Sequence, residues 1–148
     1  VNGAKMATTH DPLYYLNFQT LGSVYQTAGL LGVKEGYAQA VEAYKVASSL
    51  SPKNPGIQLA LANSYFSLEN KEEAKKYANL ALDLKPDYVD ALITLAQIAK
   101  SEGNKALALS YAKTALSIYP ENQDLIKYVE SLKTPVSAPT IKNPSENG

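Results

Sequence analysis

The chain has 148 residues, with 14 Lys+Arg against 14 Asp+Glu and so no formal net charge, which argues against a general attraction to nucleic acid or anionic lipid. It contains no cysteine, which excludes disulfide frameworks and thiolate metal sites and leaves the redox compartment open. The length suits one domain with a buried core, and no stretch approaches the ~18 consecutive apolar residues that would span a bilayer.

Residues 1–10 are polar and aperiodic, and we expect a frayed lead-in. The chain opens on Val1 without a signal-peptide pattern, and we take it as a piece of a longer polypeptide. Asp11-Pro12 then reads as a helix start, because an aspartate caps free amides and proline suits the first turn. The predicted helix runs to about Thr27 or Ala28, with Tyr14, Phe18, Leu21 and Tyr25 on one face. Gly29, Gly32 and Gly36 follow and are expected to loosen the chain, as a loop or as a helix continuing through Leu31. Leu30, Leu31 and Val33 there must pack back or stay exposed.

Five further helices are predicted at about Tyr37–Leu50, Pro55–Leu68, Lys71–Leu84, Tyr88–Ser101 and Asn104–Ile118. Ser51-Pro52 ends the first of them, since proline removes a donor and restrains the residue before it. Asn54-Pro55 and Asn70 provide caps, and Gly103 a stop. The Lys71–Lys76 face, rich in Lys and Glu, is a solvated surface. A last amphipathic segment, Asn122–Lys133, carries Leu125, Ile126, Val129 and Leu132 and suits a terminal cap. Residues 134–148, with three prolines among small polar residues, read as a disordered tail or linker.

A fixed interval organises these elements. The step from Ala40 to Ala74 is repeated from Ala74 to Ala108. Ala47, Ala81 and Ala115 keep the same step, as do Pro52, Pro86 and Pro120. Such a period marks units that bury their apolar faces only by stacking on neighbours. Alanines seven apart share a helix face and let antiparallel helices approach closely. Leu21-Gly22-Ser23-Val24-Tyr25, with Phe18 before it, completes a pattern that resembles the tetratricopeptide repeat. The resemblance implies an all-α, right-handed solenoid of three helix-turn-helix repeats plus a C-terminal capping helix. The repeats would span about 15–54, 55–88 and 89–122, the cap 122–133, and the whole domain 11–133. Leu21 lies six residues further from Ala40 than Leu61 from Ala74, so we place a six-residue insertion within Thr27–Gly36. Ala62 and Ala96 replace Gly22, Ala99 replaces Tyr25 and Tyr65, and Gln58 and Leu92 stand where the first-helix aromatic is expected.

The residues offer little chemistry. His10, the single histidine, has no companion ligands, and Glu72-Glu73 point in different directions on a helix. The glycines of 29–36 lack the Lys-Ser/Thr ending of a phosphate loop. Tyr25, Tyr44, Tyr65, Tyr77 and Tyr111 fall at or beside core positions. We expect no enzyme activity, no catalytic residue, no metal and no cofactor. The resemblance instead implies a concave groove formed by the first helices. By helical phase Gln19, Ser23 and Gln26, then Leu59, Asn63 and Phe66, then Ile93, Gln97 and Lys100 face it. Of the clamp with which family members hold a terminal carboxylate, only Asn63 has a counterpart. Gln19, Leu59 and Ile93 occupy the lysine positions.

The expectation is therefore a protein-interaction scaffold that binds an extended peptide or a helix, with no nucleic acid and no insertion into a membrane. A second reading is an assembly module of a larger protein, able to self-associate. Asp11–Gly36 bears a loose resemblance to the repeat region of bacterial O-antigen ligase-like membrane proteins, which would place it beside a glycan-handling membrane domain. Cytoplasmic and extracytoplasmic settings both stay open.

Overall fold

Alanine and the long side chains common in this chain favour helix, and in the computed structural model every regular element among the described residues is an α-helix. It describes residues 1–11 and 13–133. The tail 134–148, expected to be disordered, lies outside the described residues, as does Pro12. The helices are α1 (Asn2–His10), α2 (Tyr15–Leu30), α3 (Gly36–Leu50), α4 (Pro55–Ser67), α5 (Lys71–Leu84), α6 (Val89–Ser101), α7 (Lys105–Ile118) and α8 (Gln123–Lys133). Helices α2 with α3, α4 with α5, and α6 with α7 form antiparallel pairs, and each pair stacks on the next.

The alanine register is the core. Ala40, Ala47, Ala74, Ala81, Ala108 and Ala115 are all fully buried. Around them Leu61, Ile57 and Ile98 are the largest fully buried side chains. At the C-terminal end α8 buries Val129 and Leu132 against Ala108 and Ala112, and Leu125 against Leu92 and Ala115. Its start is capped by Asn122, whose Oδ1 accepts from Asp124 N and Leu125 N.

The lead-in departs from expectation. Residues 2–10 are helical, and Asp11 follows a helix end rather than opening one. The backbone gives the reason. Asp11 N donates to Ala7 O as Ser51 N does to Ala47 O, Lys85 N to Ala81 O and Tyr119 N to Ala115 O. Four residues connect α1 to α2, α3 to α4, α5 to α6 and α7 to α8 alike. Ala7 precedes Ala47, and Pro12 precedes Pro52, by one period plus the six-residue insertion. Thus α1 stands where the second helix of a preceding repeat would stand. Asn17 ties it to α2, its Nδ2 donating to Ala7 O and Asp11 O.

The insertion is shared out along the first pair. Relative to the second, three residues lengthen α2, one lengthens the start of α3 and two lengthen the loop. Gly29 and Gly36, expected to loosen this region, instead let it close. A Cβ on Gly36 would lie 2.3 Å from Gly29 N and 2.8 Å from Tyr25 O, so here backbone meets backbone. Leu30, Leu31 and Val33 remain exposed at 73%, 81% and 53%.

All three turns within pairs end the first helix with the same left-handed stop. Val33 N donates to Ala28 O, Asn70 N to Tyr65 O and Asn104 N to Ala99 O, satisfying carbonyls that the helix leaves free. The left-handed residue is Gly32 at φ 86° and Gly103 at φ 78°, but Glu69 at φ 60° in the second pair. A side chain in that region costs about 1 kcal/mol relative to glycine. Glu69→Gly should therefore stabilise the protein by about that amount in urea denaturation, and an unchanged midpoint would contradict the strain.

The first pair also differs inside. Tyr44 stands where the other pairs have Ala78 and Ala112, and Gly22 where they have Ala62 and Ala96. A Cβ on Gly22 would fall 2.6 Å from two carbons of the Tyr44 ring, which at 3% exposure has nowhere to move. Gly22→Ala should cost about 1–3 kcal/mol by overpacking, despite the better helix propensity of alanine. The double substitution Gly22→Ala/Tyr44→Ala recreates the Ala62–Ala78 combination. Its cost in urea denaturation should fall short of the sum of the singles by at least about 1 kcal/mol, and strict additivity would show that the two do not oppose each other.

Candidate functional site

The first helices of the three pairs, α2, α4 and α6, lie side by side, and between them opens a cavity of about 460 Å³. Six of the nine residues predicted to face it line it: Gln26, Leu59, Asn63, Phe66, Ile93 and Gln97. Gln19, Ser23 and Lys100 do not. Lys100 turns to the capping helix, its Nζ 6.0 Å from the centre of the Tyr128 ring. Leu59 forms floor rather than contact surface. It is 7% exposed and packs with Ala81 and Ala91 between the second and third pairs.

Hydrogen bonds pre-set the polar side chains. The Tyr44 hydroxyl donates to Gln26 Oε1 at 3.1 Å. Thr94 Oγ1 lies 2.9 Å from both Asn63 Oδ1 and the Asp90 carbonyl, acceptors that share its one proton. Each amide thus has its oxygen engaged, while Gln26 Nε2 and Asn63 Nδ2 have no protein partner among the described residues. An amide NH2 left this way is a hydrogen-bond donor with nothing among those residues to receive it. The lining holds one carboxylate, Asp90, and no lysine or arginine, so nothing in it neutralises a terminal carboxylate.

Leu30, Tyr37, Ser67 and Thr94 also line the cavity and were not foreseen. Leu30 reaches it because the insertion lengthens α2, and the surplus of six residues was the available signal; Tyr37 stands on α3 where the other pairs have Lys71 and Lys105, with its ring beside Gly29. Thr94 sits one position from Ile93 and is 4% exposed. Its role is to hold Asn63.

The residues between 35 and 96 match a family model described as tetratricopeptide repeat, and residues 89–122 match a second with the same description. Together they cover more than half of the chain, which belongs to the tetratricopeptide repeat family. Among solved structures, TTC0263, a thermophilic TPR protein of Thermus thermophilus, superposes with a TM-score of 0.79 at 23% identity, over 88% of this chain and 70% of that one. MamA gives 0.76 at 22% identity, over 87% and 72%. The first TPR of Spaghetti (RPAP3), bound to the HSP90 peptide SRMEEVD, gives 0.70 at 21% identity, over 80% and 89%. At these identities the likeness is one of fold. No curated protein matches in sequence.

Burial pushes the Tyr44 phenol above its usual pKa, an effect the Ser23 hydroxyl partly offsets. The folded state therefore favours the neutral phenol. The stability this represents is intact below the unfolded value of about 10 and is lost as pH rises past it. Tyr88 and Tyr128 are raised by burial as well. The melting temperature should fall above about pH 10, and Tyr44→Phe should lessen that fall. An identical alkaline loss in the variant would rule out Tyr44 as a contributor.

Proposed function

We propose that the chain is a non-catalytic interaction scaffold whose groove binds an extended peptide segment of a partner protein. The observation that carries this reading is the pairing, in one cavity, of donors without protein partners on Gln26 and Asn63 with apolar Leu30, Phe66 and Ile93. The donors suit the carbonyls of an extended backbone, and the apolar side chains offer an anchor point. The RPAP3 domain bound to an HSP90 peptide is consistent with this use of the fold. The groove here lacks the basic residues of a carboxylate clamp, so we propose recognition of an internal segment.

A second reading is an assembly module of a larger bacterial membrane protein handling cell-surface glycans. It draws on the Asp11–Gly36 pattern and on exposed Leu30, Leu31 and Val33 at the tip of the first hairpin. No described helix is long and apolar enough to cross a membrane. Sedimentation separates the two: a monomer supports the receptor, and association that Leu31→Asp abolishes supports the module.

The groove reading is tested by selecting peptides from a random library on the immobilised protein. Selected peptides should bind with micromolar affinity, on the order of 8 kcal/mol. Amidation of their C-termini should leave that affinity unchanged. Phe66→Ala should weaken it by about tenfold or more, the usual effect of losing an aromatic anchor, with the helical signal intact. Binding that survives both Phe66→Ala and Asn63→Ala would reject the groove.

A further inference from the structure

A second cavity, of about 630 Å³, opens between α2 and α3 and shares no lining residue with the groove. Internal comparison of the repeats shows what shape it complements. Lys5 Nζ stands 5.9 Å from the centre of the Tyr25 ring, and at the equivalent places in the next repeat Lys45 Nζ stands 6.0 Å from that of Tyr65. In the second pair a further ring completes the arrangement. Tyr77 stacks on Tyr65 with centroids 5.5 Å apart and planes 9° from parallel. The residue that precedes Tyr77 by one repeat period is Ala43. Beside the first pair the lysine, on α1, and the first tyrosine are kept and the second ring is lacking, and Ala43 lines the cavity together with Tyr25, Phe18, Ala38 and Val46.

The third pair narrows the point. It has Tyr111 at this position, partly buried against the core. Of the three pairs only the first has alanine there. Its tyrosine is displaced by one residue to Tyr44 and turned into the pair. α1 already lies where a preceding second helix would lie, so what the first pair lacks beside Tyr25 is a ring and not a helix.

Charge at the rim also changes sign. Lys76, beside Tyr77 in sequence and 5.3 Å from its ring centre, corresponds to Glu42, and Glu35 lines the cavity too. Glu42 pairs with Lys45 at 3.1 Å on the exposed surface, and Glu35 has no ion-pair partner among the described residues. A ring entering here with a basic neighbour would meet the Glu35 carboxylate and could take Glu42 from its exposed pair with Lys45.

From this we infer that the cavity beside Tyr25 is a docking site for a tyrosine or phenylalanine side chain of a partner protein, preceded by lysine or arginine. The inference stands independently of the groove. The chain holds the pattern of its own ligand in Lys75-Lys76-Tyr77-Ala78, which makes acetyl-Lys-Lys-Tyr-Ala-amide the natural probe.

Titration of this peptide into the isotopically labelled protein should shift the amide signals of Tyr25, Ala38, Ala43 and Val46 saturably. One ring and two charges suit a Kd near the millimolar range, about 4 kcal/mol. Acetyl-Lys-Lys-Leu-Ala-amide, without the ring, and acetyl-Glu-Glu-Tyr-Ala-amide, with the charge reversed, should each bind at least about fivefold more weakly. Ala43→Tyr, which supplies the ring in cis, should abolish binding and raise the melting temperature. Glu42→Lys, on the exposed surface, should weaken binding and leave the fold intact whatever the fate of the first variant. The inference is overturned if no saturable shift occurs up to about 10 mM, if the leucine or glutamate peptide binds as tightly, or if Glu42→Lys binds unchanged.

Discussion

Everything in this solenoid depends on how closely two antiparallel helices can approach. Fully buried Ala40, Ala74 and Ala108, with Ala47, Ala81 and Ala115 two turns on, place backbone against backbone with little side chain between. At that separation any change of volume is felt by the facing helix, because the interior has no slack to absorb it. The remaining features of the chain are local solutions to this constraint. Glycine appears where a ring or a second backbone presses in, as at Gly22 and Gly36. The larger side chains are displaced to the seams between pairs, where Leu59 and Leu95 pack with alanines.

The first pair shows how one small exchange propagates. The order Tyr-Ala of residues 77–78 and 111–112 becomes Ala-Tyr at 43–44. On a helix a one-residue shift turns a side chain by about 100°, which carries the ring from the outer seam into the interior. Three consequences follow. The opposing residue becomes glycine, the seam beside Tyr25 opens, and the phenol reaches Gln26 in the groove. The two cavities are thus related through a single side chain while sharing no residue.

The constant interval between the alanines disclosed the paired helices, their boundaries to within a residue from α3 onward, and the alanine core, because repetition averages out local ambiguity. It failed at the N-terminus. Only Ala7 and Pro12 of the half repeat were visible there, and the insertion put them out of step with Pro52. Asp11-Pro12 accordingly resembled a helix start when the hydrogen bond from Asp11 N to Ala7 O marks an end. Helical phase brought six of nine predicted residues to the groove. It misplaced Lys100, whose long side chain follows the Tyr128 ring, and it carried no information on Leu30, which arrives by an extension of α2 without counterpart in the other pairs, or on Tyr37, which stands on the second helix of its pair where the others have Lys71 and Lys105. The turns were legible, by their glycines or by the capping Asn70, but not the left-handed conformation of Glu69, which the hydrogen bonds of the motif impose and the residue itself disfavours.

The three residues that lengthen α2 add about 4.5 Å of helix at 1.5 Å per residue. They bring Leu30 to the α2 side of the groove as an apolar lip, while on the α6 side the lining residue Gln97 is open to solvent. A uniform trough would accept an extended chain equally well in either orientation. Were the trough to hold the extended segment proposed above, an apolar lip at one end would distinguish the head of that guest from its tail and give the groove a sense of direction.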